Sequence, residues 1–130
     1  MSMKYFYLLS IIILISCGED QLEVDPLEFN GQIAGASNIY SPDDLILVYY
    51  NYPEGEEGGE RIHTESRELG DGRYEIILTH EGLMDDSMQG IRIKMIAQKE
   101  GKYWSVEEIG KTWKCYEGRG HTEWGTEQCS

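Results

Sequence analysis

Arg61-Ile62-His63-Thr64-Glu65-Ser66-Arg67-Glu68-Leu69-Gly70-Asp71-Gly72-Arg73-Tyr74-Glu75-Ile76-Ile77-Leu78-Thr79-His80 is the stretch that decides the fold class. Its side chains alternate with a period of two on either side of Leu69-Gly70-Asp71-Gly72, a turn sequence, so it reads as two antiparallel strands in a hairpin. Ile62, Thr64 and Ser66 fall on one face and His63, Glu65 and Arg67 on the other, while Tyr74, Ile76 and Leu78 share one side of the returning strand.

The pattern continues outward. Residues 81–90 hold Gly82, Asp85, Asp86, Ser87 and Gly90 and read as a loop. Ile91, Ile93 and Met95 then share a face, with Arg92 and Lys94 on the opposite one, and Lys99-Glu100-Gly101-Lys102 turns the chain back. On the return, Trp104 and Val106 have one parity and Ile109, Trp113 and Cys115 the other, so a bulge at Glu107-Glu108 is expected to restore a single buried face. Toward the N-terminus, Ser41-Pro42-Asp43-Asp44 reads as a turn. The following Leu45-Ile46-Leu47-Val48-Tyr49-Tyr50-Asn51-Tyr52 reads as a central strand covered on both faces. Residues 32–35 read as a short first strand, 53–60 as a flexible acidic loop, and 116–130 as a terminal loop. About seven short strands and little helix predict an all-β fold: a small antiparallel β-sandwich or open barrel, with immunoglobulin-like and transthyretin-like sandwiches as the architectural analogies.

Residues 1–17 carry a different signal. Lys4 precedes an apolar run from Tyr5 to Ile15, closed by Ser16 and Cys17. A cationic start, a short apolar core and a small residue form a secretory signal peptide. The run falls short of the roughly 20 residues a membrane span needs. Leu14-Ile15-Ser16-Cys17 resembles the lipobox of bacterial lipoproteins. The resemblance implies cleavage of residues 1–16, lipidation of Cys17 and retention at the outer membrane of the cell envelope through the lipid. Residues 17–28 follow as a lipidated cysteine and acidic tether, and 29–130 as a single β domain. The acidic stretch after Cys17 also resembles the export signal of surface lipoproteins of the Bacteroidota, which leaves periplasmic and surface-exposed display both open.

The chain has 130 residues, with 11 Lys+Arg against 24 Asp+Glu and a formal net charge of −13. Cleavage would remove one base, Lys4, and no acid. Such acidity excludes nucleic acid as a partner, because phosphates need clustered bases, and excludes lying flat on anionic lipid. Capture of a cationic partner is compatible with it. With Cys17 lipidated, Cys115 and Cys129 remain as a pair in an oxidising compartment, and a disulfide is expected between them.

The loop those cysteines would close holds Arg119, His121, Glu123 and Trp124 within six residues, a composition suited to recognition. The alternative is a structural seal, with Trp124 capping the core. Enzyme and metal readings fail on spacing. His121-Thr122-Glu123 lacks the P-C-x-x-C partner of zinc deaminases. Cys115, His121 and Cys129 match no common zinc spacing, and Glu54, Glu56, Glu57 and Glu60 lack the calcium-loop pattern. No catalytic residues, metal or cofactor are therefore expected. Tyr49, Tyr50, Tyr52, Tyr103, Trp104 and Trp113 would suit either a β core or a carbohydrate platform. The sequence reading is a monomeric, lipid-anchored, exported protein with a non-catalytic binding or structural accessory role and a protein or glycan ligand. The alternative is an acidic inhibitor or immunity-type protein against a cationic envelope-attacking enzyme.

Overall fold

The computed structural model of the protein describes residues 20–51 and 61–130. Cys17, the leader and the expected acidic loop at 53–60 lie outside the described residues. Five strands, β1 (Leu22–Val24), β2 (Arg61–Gly70), β3 (Arg73–Glu81), β4 (Met88–Glu100) and β5 (Tyr103–Cys115), form one antiparallel sheet in the order β1-β5-β4-β3-β2. The all-β, antiparallel class expected from the alternation is the one that forms. The layer covering the sheet is made of two short helices, α1 (Leu27–Ile33) and α2 (Pro42–Tyr50), rather than of further strands. Among the described residues, no helix is long and apolar enough to cross a membrane.

The central strand expected at residues 45–52 is corrected: Leu45 to Tyr50 belong to α2, Asn51 caps it, and Tyr52 lies outside the described residues. An unbroken apolar run has no period to separate the two states, so its ends decide. The Ser41 hydroxyl accepts from the Asp44 N–H at 3.1 Å, Pro42 opens the first turn, and Asp43 and Asp44 face the positive end of the helix dipole. Asn51, at φ 44°, stops the helix in the left-handed conformation, its N–H bonding Leu47 O at 2.9 Å. Burial then follows the helical period: Leu45 and Ile46 are buried, Tyr49 and Tyr50 half-buried, Leu47 and Val48 exposed.

The expected strand at 32–35 is corrected to the end of α1 and the turn after it. Residues 22–28, read as acidic tether, enter the fold instead. Leu22, Glu23 and Val24 pair with Lys111, Gly110 and Ile109 as an edge strand, and Leu27 begins α1. Three residues are too few for an alternation to show against an acidic background. α1 is fixed to β5 by the Asn30 amide, whose Nδ2 donates to Val106 O at 2.8 Å and whose Oδ1 accepts from Val106 N at 2.7 Å. The side chain thus stands in for a strand partner where β1 has already ended.

Both expected hairpins form with the expected faces. Ile62, Thr64 and Ser66 oppose His80, Leu78 and Ile76, and Ile76 and Leu78 in turn oppose Met95 and Ile93. The expected bulge is present: Ile96 pairs with Glu108 and Ala97 with Val106, which leaves Glu107 as the extra residue. Trp104, Val106 and Ile109 are consequently buried on one side. They meet Ile76, Leu78, Ile93, Met95 and Ala97 of the sheet and Phe29, Ile33, Ile39, Leu45 and Ile46 of the helix layer in one core. In the β2–β3 turn Gly72 is obligatory, because its φ is +77° and a Cβ there would stand 2.7 Å from Lys99 O.

Candidate functional site: the uncovered sheet face and its closing loop

One face of the sheet lies under the helices; the other has none. Strand register places Arg61 and Arg67 of β2, Arg73 of β3, Arg92 and Lys94 of β4 and Lys114 of β5 on that uncovered face. These are six of the ten lysines and arginines among the described residues. The same face carries Glu23, Glu65, Glu75, Glu81 and Glu108, so it is close to neutral in a chain whose net charge is −13.

Most of these cations have carboxylate partners. Arg67 and Lys94 share Glu75 at 3.3 and 3.4 Å, Lys114 meets Glu81 at 2.7 Å, and Arg73 meets the bulge residue Glu107 at 2.9 Å. The hydrogen bond and charge of Lys114 hold the Glu81 carboxyl below its ordinary value. Arg92 differs. Its Nε approaches Thr79 Oγ1 at 3.4 Å and its guanidinium lies 4.2 Å from the centre of the Trp124 ring, but no described carboxylate is within 4 Å.

Trp124 reaches this face because the chain after Cys115 folds back along β5. Trp113 and Gly125 exchange both backbone hydrogen bonds at 2.9 Å, Cys115 N donates to His121 O at 2.8 Å, and Trp113 Nε1 donates to Glu127 O at 2.9 Å. Cys115 and Cys129 are joined by the expected disulfide. The Trp124 ring packs where Gly90 lacks a side chain, a Cβ there being 3.2 Å from it, with Lys114 4.9 Å from the ring centre. Trp124 thus belongs to the uncovered face, not to the helix-covered core.

The four residues singled out in this loop do not converge as one cluster. His121, Glu123 and Trp124 border a shallow groove with Thr112, whereas Arg119 stands apart, exposed, with Nη1 3.5 Å from Ser130 O. Glu123 contributes its carbonyl rather than its carboxylate. His121 Nδ1 lies 2.7 Å from Glu123 O and Nε2 2.7 Å from Glu127 O. Two carbonyl oxygens favour two N–H donors and so favour the imidazolium form of the ring. These backbone acceptors, Glu123 first, raise the His121 pKa above its ordinary value of 6.5. Cys115, Cys129 and His121 each bring a ligand-type atom within 4.8 Å of the others. Both sulfurs, however, are bonded to one another and both ring nitrogens face carbonyls, so the group acts as a covalent and ionic clasp.

The sign of the pH dependence follows. A pKa raised on folding stabilises the loop fully below about pH 6.5, and that contribution is lost as pH rises through the folded value. The melting temperature of the wild type should therefore fall relative to His121→Gln between about pH 6 and about pH 9. Parallel melting curves for the two proteins would remove His121 from the clasp.

Arg92, Lys94, Thr112 and Lys114 were not singled out by sequence reasoning. The available signal was the alternation itself, which put Arg92 and Lys94 outward without showing that the outward face had no cover. Comparison with family models, curated proteins and solved structures gives no match to this chain.

Proposed function

We propose that the protein is an exported, lipid-anchored, non-catalytic binding module that meets its ligand with the uncovered sheet face. The observation that carries this reading is the segregation of six of the ten described lysines and arginines onto one helix-free face of a chain with a net charge of −13. A face kept clear of the hydrophobic layer, with side chains fixed by ion pairs and by a disulfide-closed loop, costs little entropy to engage. The anchoring part draws on Leu14-Ile15-Ser16-Cys17 and its resemblance to a lipobox. Two or more acyl chains make a stable anchor where one does not. Cys17→Ser should shift the protein from the detergent phase to the aqueous phase on partitioning; equal retention of both forms would refute the anchor.

A second reading, the acidic inhibitor, draws on Glu117, Glu123 and Glu127, three exposed acids on the disulfide-closed loop. Inhibition of a hen-type lysozyme that disappears when these three become glutamine would favour it over the sheet face.

A further inference from the structure

Helix α1 carries a reactive pair of residues at the point where it is tied to the sheet. Of the three asparagines in the chain, only Asn30 precedes a glycine, Gly31; Asn38 precedes Ile39 and Asn51 precedes Tyr52. An asparagine side chain is open to attack by the backbone nitrogen of the next residue, and a glycine does least to obstruct it. The Gly31 nitrogen loses its proton to solvent base and bonds to Asn30 Cγ. The bond from Cγ to Nδ2 breaks and ammonia leaves. Water then opens the succinimide ring at either carbonyl. The product is an aspartate, or an isoaspartate whose main chain runs through Cγ. One water enters for each ammonia lost.

The fold holds this pair back. Asn30 Nδ2 donates to Val106 O at 2.8 Å, and Oδ1 accepts from Val106 N at 2.7 Å. Asn30 N donates to Pro26 O at 2.8 Å, within the first turn of α1. Ring closure requires the side chain to leave Val106 and the Asn30 backbone to leave its helical conformation. The same two side-chain bonds are the ones the product cannot remake. An aspartate at position 30 sets a carboxylate oxygen where Nδ2 donates, against the Val106 carbonyl. An isoaspartate lengthens the backbone of the helix by one atom. α1 is also poorly able to stand alone. It has seven residues, with a glycine among them, too few to be helical without packing. Phe29, Ile33 and the Asn30 amide hold it to the rest of the fold.

We propose that Asn30-Gly31 is a site of spontaneous deamidation, gated by release of α1 from β5, whose product keeps α1 from docking again. The reaction leaves a one-way mark of the time the helix layer has spent open. It is independent of what the uncovered sheet face meets.

The test is peptide mapping by mass spectrometry of the full chain, held in detergent in mildly alkaline buffer with and without urea. Asn30 should convert in unfolding urea, and about tenfold or more slowly in its absence, because two hydrogen bonds must break first. Asn38 and Asn51 should stay intact over the same interval. Gly31→Ala should slow the conversion in urea while keeping the fold, since a Cβ there meets nothing within 4 Å. An Asn30 that survives in urea, or converts equally fast without it, would overturn the site. Below the unfolding transition, added urea should raise the rate only gently, because opening α1 exposes less surface than unfolding the chain. A rise as steep as that of the unfolding equilibrium would overturn release of α1 as the gate. Asn30→Asp should melt below the wild type at neutral pH. The deficit should shrink toward about pH 4, where the carboxyl regains a proton to donate to Val106 O. Equal melting temperatures at neutral pH would show that the product docks again and would overturn the lock.

Discussion

Replacing Cys115 and Cys129 together by serine should lower stability by about 3 kcal/mol and the melting temperature by about 10–20 °C. The two residues are 14 apart in sequence, and in the chain-entropy model a link across a loop of that size removes this much freedom from the unfolded state. Enthalpy works in the same direction. Cys115 is buried, and Gly120 lies so near its sulfur that a Cβ there would come within 2.8 Å. Without the covalent bond, the loop is held by the Trp113–Gly125 backbone pair, the indole bond to Glu127 O and the His121 clasp. The loss should therefore be larger at about pH 9 than at about pH 6, because the clasp discharges as pH rises through its raised value. Thermal unfolding of the double variant and the wild type at both pH values checks this. A shift below about 2 °C at either would show that the disulfide carries no stability.

Ile109→Ala should cost about 2–5 kcal/mol, because it removes a fully buried side chain from the centre of the only core among the described residues. Ile109 follows the Glu107 bulge and packs beneath the helices on the same face as Met95, its partner across β4. Ile77, on the other face, is half-buried, and Ile77→Ala should cost about 1 kcal/mol. Urea unfolding of the two variants distinguishes the covered face from the uncovered one. Equal losses would mean that both faces are buried, as in a sandwich, and would remove the basis for a binding surface.

The strands were legible because one face is wet. His63, Glu65 and Arg67, or Arg92 and Lys94, interrupt the apolar residues every second position only when they point to solvent. Even the bulge could be read, since Val106 and Ile109 cannot share a face without an extra residue. The helix layer was illegible for the opposite reason. Leu45–Tyr50 is apolar throughout, and the Ser-Pro-Asp-Asp ahead of it serves equally as a turn and as a helix start. The candidate site was half visible. The loop between Cys115 and Cys129 stood out by composition, but the direction of Trp124 depends on the long-range partners Arg92 and Gly90. Nothing local to residues 116–130 encodes them. His121 drew notice as a polar group; its tie to two backbone carbonyls depends on loop geometry that residue types do not specify.

The outer edge of β5 receives both ends of the described chain. β1 occupies it opposite Lys111, Gly110 and Ile109, and the returning C-terminal segment occupies it opposite Trp113 and Cys115. Leu22 and Gly125 thus sit against positions only two residues apart, about 7 Å along one strand. With a lipid on Cys17, the five-residue lead to Leu22 spans at most about 18 Å. Such a lead would keep the β1–β5 edge of the sheet near the bilayer, with β2 three strand spacings, about 14 Å, beyond β5. A domain hung this way keeps both broad faces open to the side. A tag fused to the C-terminus would emerge beside the anchor and crowd it, whereas an insertion at the β2–β3 turn would project from the rim away from β5.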